Sequence, residues 1–143
     1  MAYDRINAFV VVVHNKLPPT DEEWDEYIEF NKSYGGDQGV ITRFLVVTDG
    51  GAPTAAQRKI LHDTAAPLLK QYPNAMRTAV VTPSTFVRGV MNALSLMLVK
   101  PMFRGFSPNE MHKAYTFLGV PSAYISDIEE MIAYLRASLG PTA

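Results

Sequence analysis

Cysteine is absent from this chain, which excludes a disulfide scaffold, thiol catalysis and thiolate metal sites. A charge surplus is missing too: Lys and Arg total 13 against 14 Asp and Glu, a formal net charge of -1. Nucleic-acid binding draws on a strongly basic surface, so the composition predicts no nucleic-acid partner. No apolar run is long enough to cross a bilayer. Residues 8–13 are too few and lack the basic flank of a signal peptide, and residues 87–99 are interrupted by Arg88, Asn92 and Ser95. A cytoplasmic chain without a transmembrane segment is expected. Repeats, linkers and low-complexity stretches are also lacking, so residues 1–143 read as a single domain. With 48% apolar and 19% charged residues, the chain has enough apolar surface to offset its conformational entropy.

The pattern alternates strand-like and helical runs. Residues 6–14 (INAFVVVVH) contain four consecutive valines, and such an unbroken β-branched run suits a strand buried on both faces. Thr20 and Glu23 form a capping-box pair that opens a helix over 21–34, with Trp24, Tyr27, Ile28 and Tyr34 as inward candidates. A strand over 40–48 (VITRFLVVT) follows. Thr54 and Gln57 then open a second helix, with Ile60, Leu61, Ala65 and Leu68 near one stripe and a kink or break expected at Pro67. Residues 76–82 read as a third strand, 85–99 as a third helix and 102–106 as a fourth strand. The segment Ser107-Pro108-Asn109-Glu110 starts a helix that ends at Gly119, and a last helix is expected over 126–138 with Ile128, Ile132, Leu135 and Leu139 in register. Strand-then-helix units predict an α/β fold: one mainly parallel sheet of about four strands packed against helices.

In a parallel sheet the strand ends and helix starts meet along one rim, where ligands bind. That rim collects His14, Thr48, Asp49, Gly50, Gly51, Thr82, Ser84 and Ser107. Glycines let backbone N–H groups approach a ligand, and helix starts favour anions. The candidate ligand contacts are therefore Asp49, Gly50, Gly51, Thr54, Ser84 and Arg88. The plainer reading is that each of them caps a helix or makes a turn. No phosphate-loop spacing and no GxSxG elbow is present. His14, His62 and His112 show no ligand spacing, so no metal and no cofactor are expected, and no residue is singled out as catalytic. The carboxylates of residues 21–26 stand at a helix start, where negative charge is favoured anyway. The order Asp49, Thr82, Lys100-Pro101 is similar to a receiver-type phosphorylation domain, but the first strand ends His14-Asn15-Lys16, without the acids that hold Mg²⁺ in such domains.

The third helix carries more apolar residues than one buried stripe needs. Val87, Met91, Leu94 and Leu98 form one row, Phe86, Val90, Ala93 and Met97 the next, and Leu96 and Val99 complete the last turns. Either the helix is deeply buried, or Val90, Met91, Leu94, Leu96 and Met97 meet another chain, as in a homodimer.

From Val40 onward the order of elements resembles the STAS fold of bacterial anti-sigma-factor antagonists and their single-domain relatives. The strand FLVVT running into Asp49-Gly50-Gly51, the strand RTAVVT and the segment MFRGFSPNEMHKAYTFLG carry the resemblance, over roughly two-thirds of the chain. It implies a non-enzymatic regulatory domain that binds a protein partner or a small, lipid-like ligand. Two departures stand out. Gly50 and Gly51 occupy the place of the antagonists' phosphorylatable hydroxyl residue, leaving only Thr48 and Thr54 nearby. The family's opening β-hairpin is also not legible. The expected function is thus a non-catalytic interaction domain that self-associates. A small-ligand-binding protein or an enzyme using the rim is the second possibility, and a degenerate receiver the third.

Overall fold

Four consecutive valines can all be buried only if both faces of their strand are covered. The computed structural model, which describes residues 1–34, 41–96 and 102–140, covers both. Strand β2 (Phe9–His14) is buried at every position. Phe9, Val11 and Val13 point into one apolar cluster, Val10 and Val12 into another on the opposite face. Beside it lies β1 (Ala2–Ile6), antiparallel, with Ile6 paired to Phe9 and Ala2 to Val13. The run 6–14 is therefore not one strand. It bends at Asn7, whose φ of 50° is a conformation that asparagine tolerates better than most residues. The opening hairpin that the sequence hides is present, and the sheet has five strands instead of about four.

The remaining strands follow in sequence order and run parallel to β2: β3 (Thr42–Thr48), β4 (Met76–Val81) and β5 (Phe103–Phe106). Crossovers of one hand between strands laid side by side put their helices on the same face. Helices α1 (Asp21–Tyr34) and α2 (Ala55–Gln71) accordingly share the cluster of Val10, Val12, Trp24, Tyr27, Ile28 and Phe44, to which Leu61 adds. Both predicted capping boxes form: Thr20 with Glu23, and Thr54 with Gln57. Gln57 is buried and ties the two helix starts together. Its Nε2 donates to the Pro19 carbonyl (2.9 Å) and to Asp21 (3.0 Å), and its own carbonyl accepts from the Trp24 indole at 2.8 Å. Helix α2 is not broken at Pro67: it continues to Gln71, with Pro67 on the exposed side where water can satisfy the carbonyl that it frees. Ile60 is exposed rather than inward, one position outside the stripe of Leu61, Ala65 and Leu68.

On the opposite face lie α4 (Met111–Leu118), entered through a 3₁₀ turn at Pro108–Glu110 and stopped at Gly119, and α5 (Ser122–Ser138). Ala114, Tyr115, Leu118, Ile128, Ile132 and Leu135 close the core against β2, β3 and β4. Helix α5 begins four residues before the expected 126, with Pro121 as its N-cap and no side-chain capping hydrogen bond that the sequence could have signalled. Among the described residues no helix is long and apolar enough to cross a membrane.

Helix α3 (Thr85–Leu96) departs from this scheme. It packs chiefly on β5, the last strand of the sheet. The α3 residues Val90, Met91 and Leu94 are described. Met97 and Lys100-Pro101 lie outside the described residues, as do the side chains of Tyr34 and Leu96.

Candidate functional site

Register places the predicted rim on one border. His14 pairs with Thr48, Val47 with Val81 and Val81 with Phe106, so Asp49, Thr82 and Ser107 follow adjacent strand ends. Most of the hydroxyls and glycines there serve the loops. Thr48 Oγ1 donates to the Gly51 carbonyl and accepts from the Gly50 N–H. A Cβ on Gly51 would stand 2.3 Å from the Leu17 carbonyl oxygen, so only glycine fits. Thr54 and Ser84 accept from N–H groups of the first turns of α2 and α3. Arg88 turns back from α3, and its guanidinium donates to the Thr82 carbonyl at 2.6 Å and to Thr85 at 3.4 Å.

Of the candidate ligand residues, Asp49 lines an open cleft on the α4–α5 side of the rim. About 550 Å³ in volume, the cleft is lined by Lys16, Thr48, Asp49, Met111, Tyr115, Glu129 and Arg136 among others. Arg136 donates to Asp49 at 3.3 Å, and the Tyr115 hydroxyl to Glu129 at 3.4 Å. Burial, reinforced by the nearby Glu129 carboxylate, pushes the Tyr115 phenol up to about 12. At neutral pH it is a hydrogen-bond donor and not a base. Sequence reading missed Tyr115, Glu129 and Arg136, although Glu129, Ile132 and Arg136 share one helical stripe whose central member was already assigned to the core. His14 is buried with its Nδ1 unpartnered, and burial together with the chain's amino group lowers its pKa to about 4 despite the opposing Glu23 charge. It is a neutral core histidine. Among the described residues no group of three histidines and carboxylates could hold a metal ion.

The second candidate surface is α3, whose amphipathic character is turned around. The residues facing the sheet are polar: Ser95 is buried and Arg88 and Asn92 are half-buried. Gly105 of β5 points its N–H and carbonyl away from β4, toward the free edge. Asn92 meets both, accepting from the N–H at 2.9 Å and donating to the carbonyl at 3.4 Å. One side-chain amide thus stands in for a missing strand and blunts the edge. The approach is close enough that a Cβ on Gly105 would lie 3.0 Å from the Arg88 Cα. With a peptide edge beneath it, α3 leaves its apolar residues outside. Phe86 is 80% exposed, Leu94 50%, Val90 43% and Val87 39%, with Gly89 and Ala93 exposed beside them, while Met91 sits at the border.

Comparison of the chain with protein-family models, with curated proteins and with solved structures gives no match.

Proposed function

We propose that this chain is a non-catalytic regulatory or interaction domain of STAS-like architecture that associates with a second copy of itself through the outer face of α3. The observation that carries the proposal is the inverted helix: four large apolar side chains exposed on one helix whose inward face is polar, with Asn92 bonded to β5. Contiguous exposed apolar surface marks interaction sites. A second copy suits this surface better than a charged partner does. The outward arc holds no ionised group, since Arg88 is folded inward. Its ridge of Phe86, Val90 and Leu94 runs beside a shelf of Gly89 and Ala93, so an antiparallel copy related by a two-fold axis can lay ridge on shelf in both directions. The β1–β2 hairpin supports the STAS-like reading by supplying the opening that the sequence seemed to lack.

Light scattering tests the proposal. The wild type should show a concentration-dependent dimer, and Val90→Lys or Leu94→Lys should be monomeric, with the melting temperature of the dilute wild-type monomer. A wild type that stays monomeric at high concentration, or association that survives both substitutions, would falsify it.

Small-ligand binding is the second reading, and one observation favours it. A largely apolar, open-mouthed cavity of about 210 Å³ lies between α1, α2 and the sheet, lined by Val10, Phe44, Leu61, Leu68 and Met76, with Asn31, Lys32, Thr42 and Thr64 also on its wall. An apolar cavity of about 150 Å³ already admits benzene. Saturable stabilisation by small hydrocarbons, lost in Ala65→Trp, would support that reading.

A further inference from the structure

Three parallel strands each carry an arginine as their second residue: Arg43 on β3, Arg77 on β4 and Arg104 on β5. Arg43 and Arg77 are direct cross-strand partners, and Arg104 pairs with Ala79, which places it diagonally from Arg77 on the same face. Like charges directly opposite on neighbouring strands are destabilising. Among the described residues no carboxylate forms an ion pair with any of the three. Nor does the adjoining stretch 119–126 (GVPSAYIS) contain an acid.

What the guanidiniums do touch is aromatic. Arg43 lies over the Phe9 ring, with its Cζ 5.6 Å from the centroid, while Arg77 and Arg104 share the Phe117 ring at 5.4 and 5.2 Å. These contacts hold the cations against the rings but leave most of their N–H groups without a protein acceptor. Arg77 spends one donor on the Phe117 carbonyl at 3.1 Å, and the Arg43 Nε–H is buried without an acceptor. Planar forks with free donors and no ion-pair partner among the described residues match the oxygens of a tetrahedral oxyanion. A carboxylate brings one charge to three cations. A phosphate monoester brings nearly two, and three acceptor oxygens.

We propose that Arg43, Arg77 and Arg104 form a binding site for the phosphoryl group of a small molecule, at the opposite end of the sheet from the rim. The site is independent of the α3 surface, so Val90→Lys binds phosphate as the wild type does.

Thermal denaturation at matched ionic strength tests the proposal, with inorganic phosphate, AMP, adenosine and acetate as probes. Phosphate and AMP should each raise the melting temperature saturably, and adenosine and acetate should not. AMP binding more tightly than phosphate identifies an esterified ligand, and equal affinity identifies the free anion. Arg104 is exposed, so Arg104→Gln keeps the fold. It should weaken phosphate about tenfold, as loss of a charge-assisted hydrogen bond does, and should raise the melting temperature without ligand by relieving repulsion. Arg43→Gln should weaken phosphate similarly. The proposal is overturned if neither phosphate compound gives a saturable shift. It is equally overturned if Arg104→Gln lowers the melting temperature and leaves phosphate affinity unchanged, for then the cations only stack on Phe117.

Discussion

Helices α1 and α3 both carry apolar residues at helical spacing, yet they face opposite ways. In α1, Trp24, Tyr27 and Ile28 are buried against the valines of β2. In α3, Phe86, Val87, Val90 and Leu94 face solvent, while Arg88, Asn92 and Ser95 face the protein. The difference lies in what each helix meets. Helix α1 lies on a sheet face, where only apolar burial stabilises. Helix α3 lies along a strand edge, where an unsatisfied peptide group costs more than an exposed leucine. Periodicity gives the direction of an apolar stripe relative to its own helix. The neighbouring surface decides whether that stripe turns inward.

The contrast can be broken most severely on the buried side. Leu45 is 1% exposed in the core beneath α4 and α5, so Leu45→Ala should cost about 2–5 kcal/mol in chemical denaturation. Next is His14, buried with its Nδ1 unpartnered. The folded-state pKa of His14 is lowered from 6.5 to about 4, so the unfolded chain takes up the proton first. Its contribution is fully present above pH 6.5 and is lost as pH falls, up to about 3 kcal/mol by pH 4. Glu23 contributes at lower pH. Desolvation opposes its charged form, but the Thr20 hydrogen bonds and the chain's amino group outweigh that and hold its pKa below the usual value. A stability profile between pH 6.5 and 4.5 therefore isolates the histidine, and His14→Gln should flatten it.

On the α3 side the effects shrink. Gly105→Ala forces a Cβ against the Arg88 backbone and should cost about 1–3 kcal/mol, the usual penalty of overpacking. Val90→Lys should change monomer stability by less than about 0.5 kcal/mol. If that substitution proves as costly as Leu45→Ala, α3 does not face outward and the contrast collapses.

The sequence announces its elements more clearly than their surroundings. Capping boxes at Thr20 and Thr54 and the stop at Gly119 are legible because they are local chemistry. Strand β1 is not, since AYDRI is an edge strand with no fully buried residue and its alternation is weak. The rim is legible from strand ends alone. Its cleft is not, because Tyr115, Glu129 and Arg136 reach it from helices that cross the sheet late in the chain. The arginines of β3, β4 and β5 escape notice for a similar reason: one arginine per strand is unremarkable until register sets them side by side.

The absence of cysteine makes the orientation of α3 directly measurable. Val90→Cys and Ser95→Cys each introduce the molecule's single thiol, one on the outer face and one on the buried face. In dilute protein, a thiol reagent should modify the cysteine at 90 nearly as fast as in unfolded chain, and the cysteine at 95 far more slowly. Protection at 90 should then grow with protein concentration as copies associate. Rapid labelling at 95 with a protected thiol at 90 in dilute monomer would contradict the account.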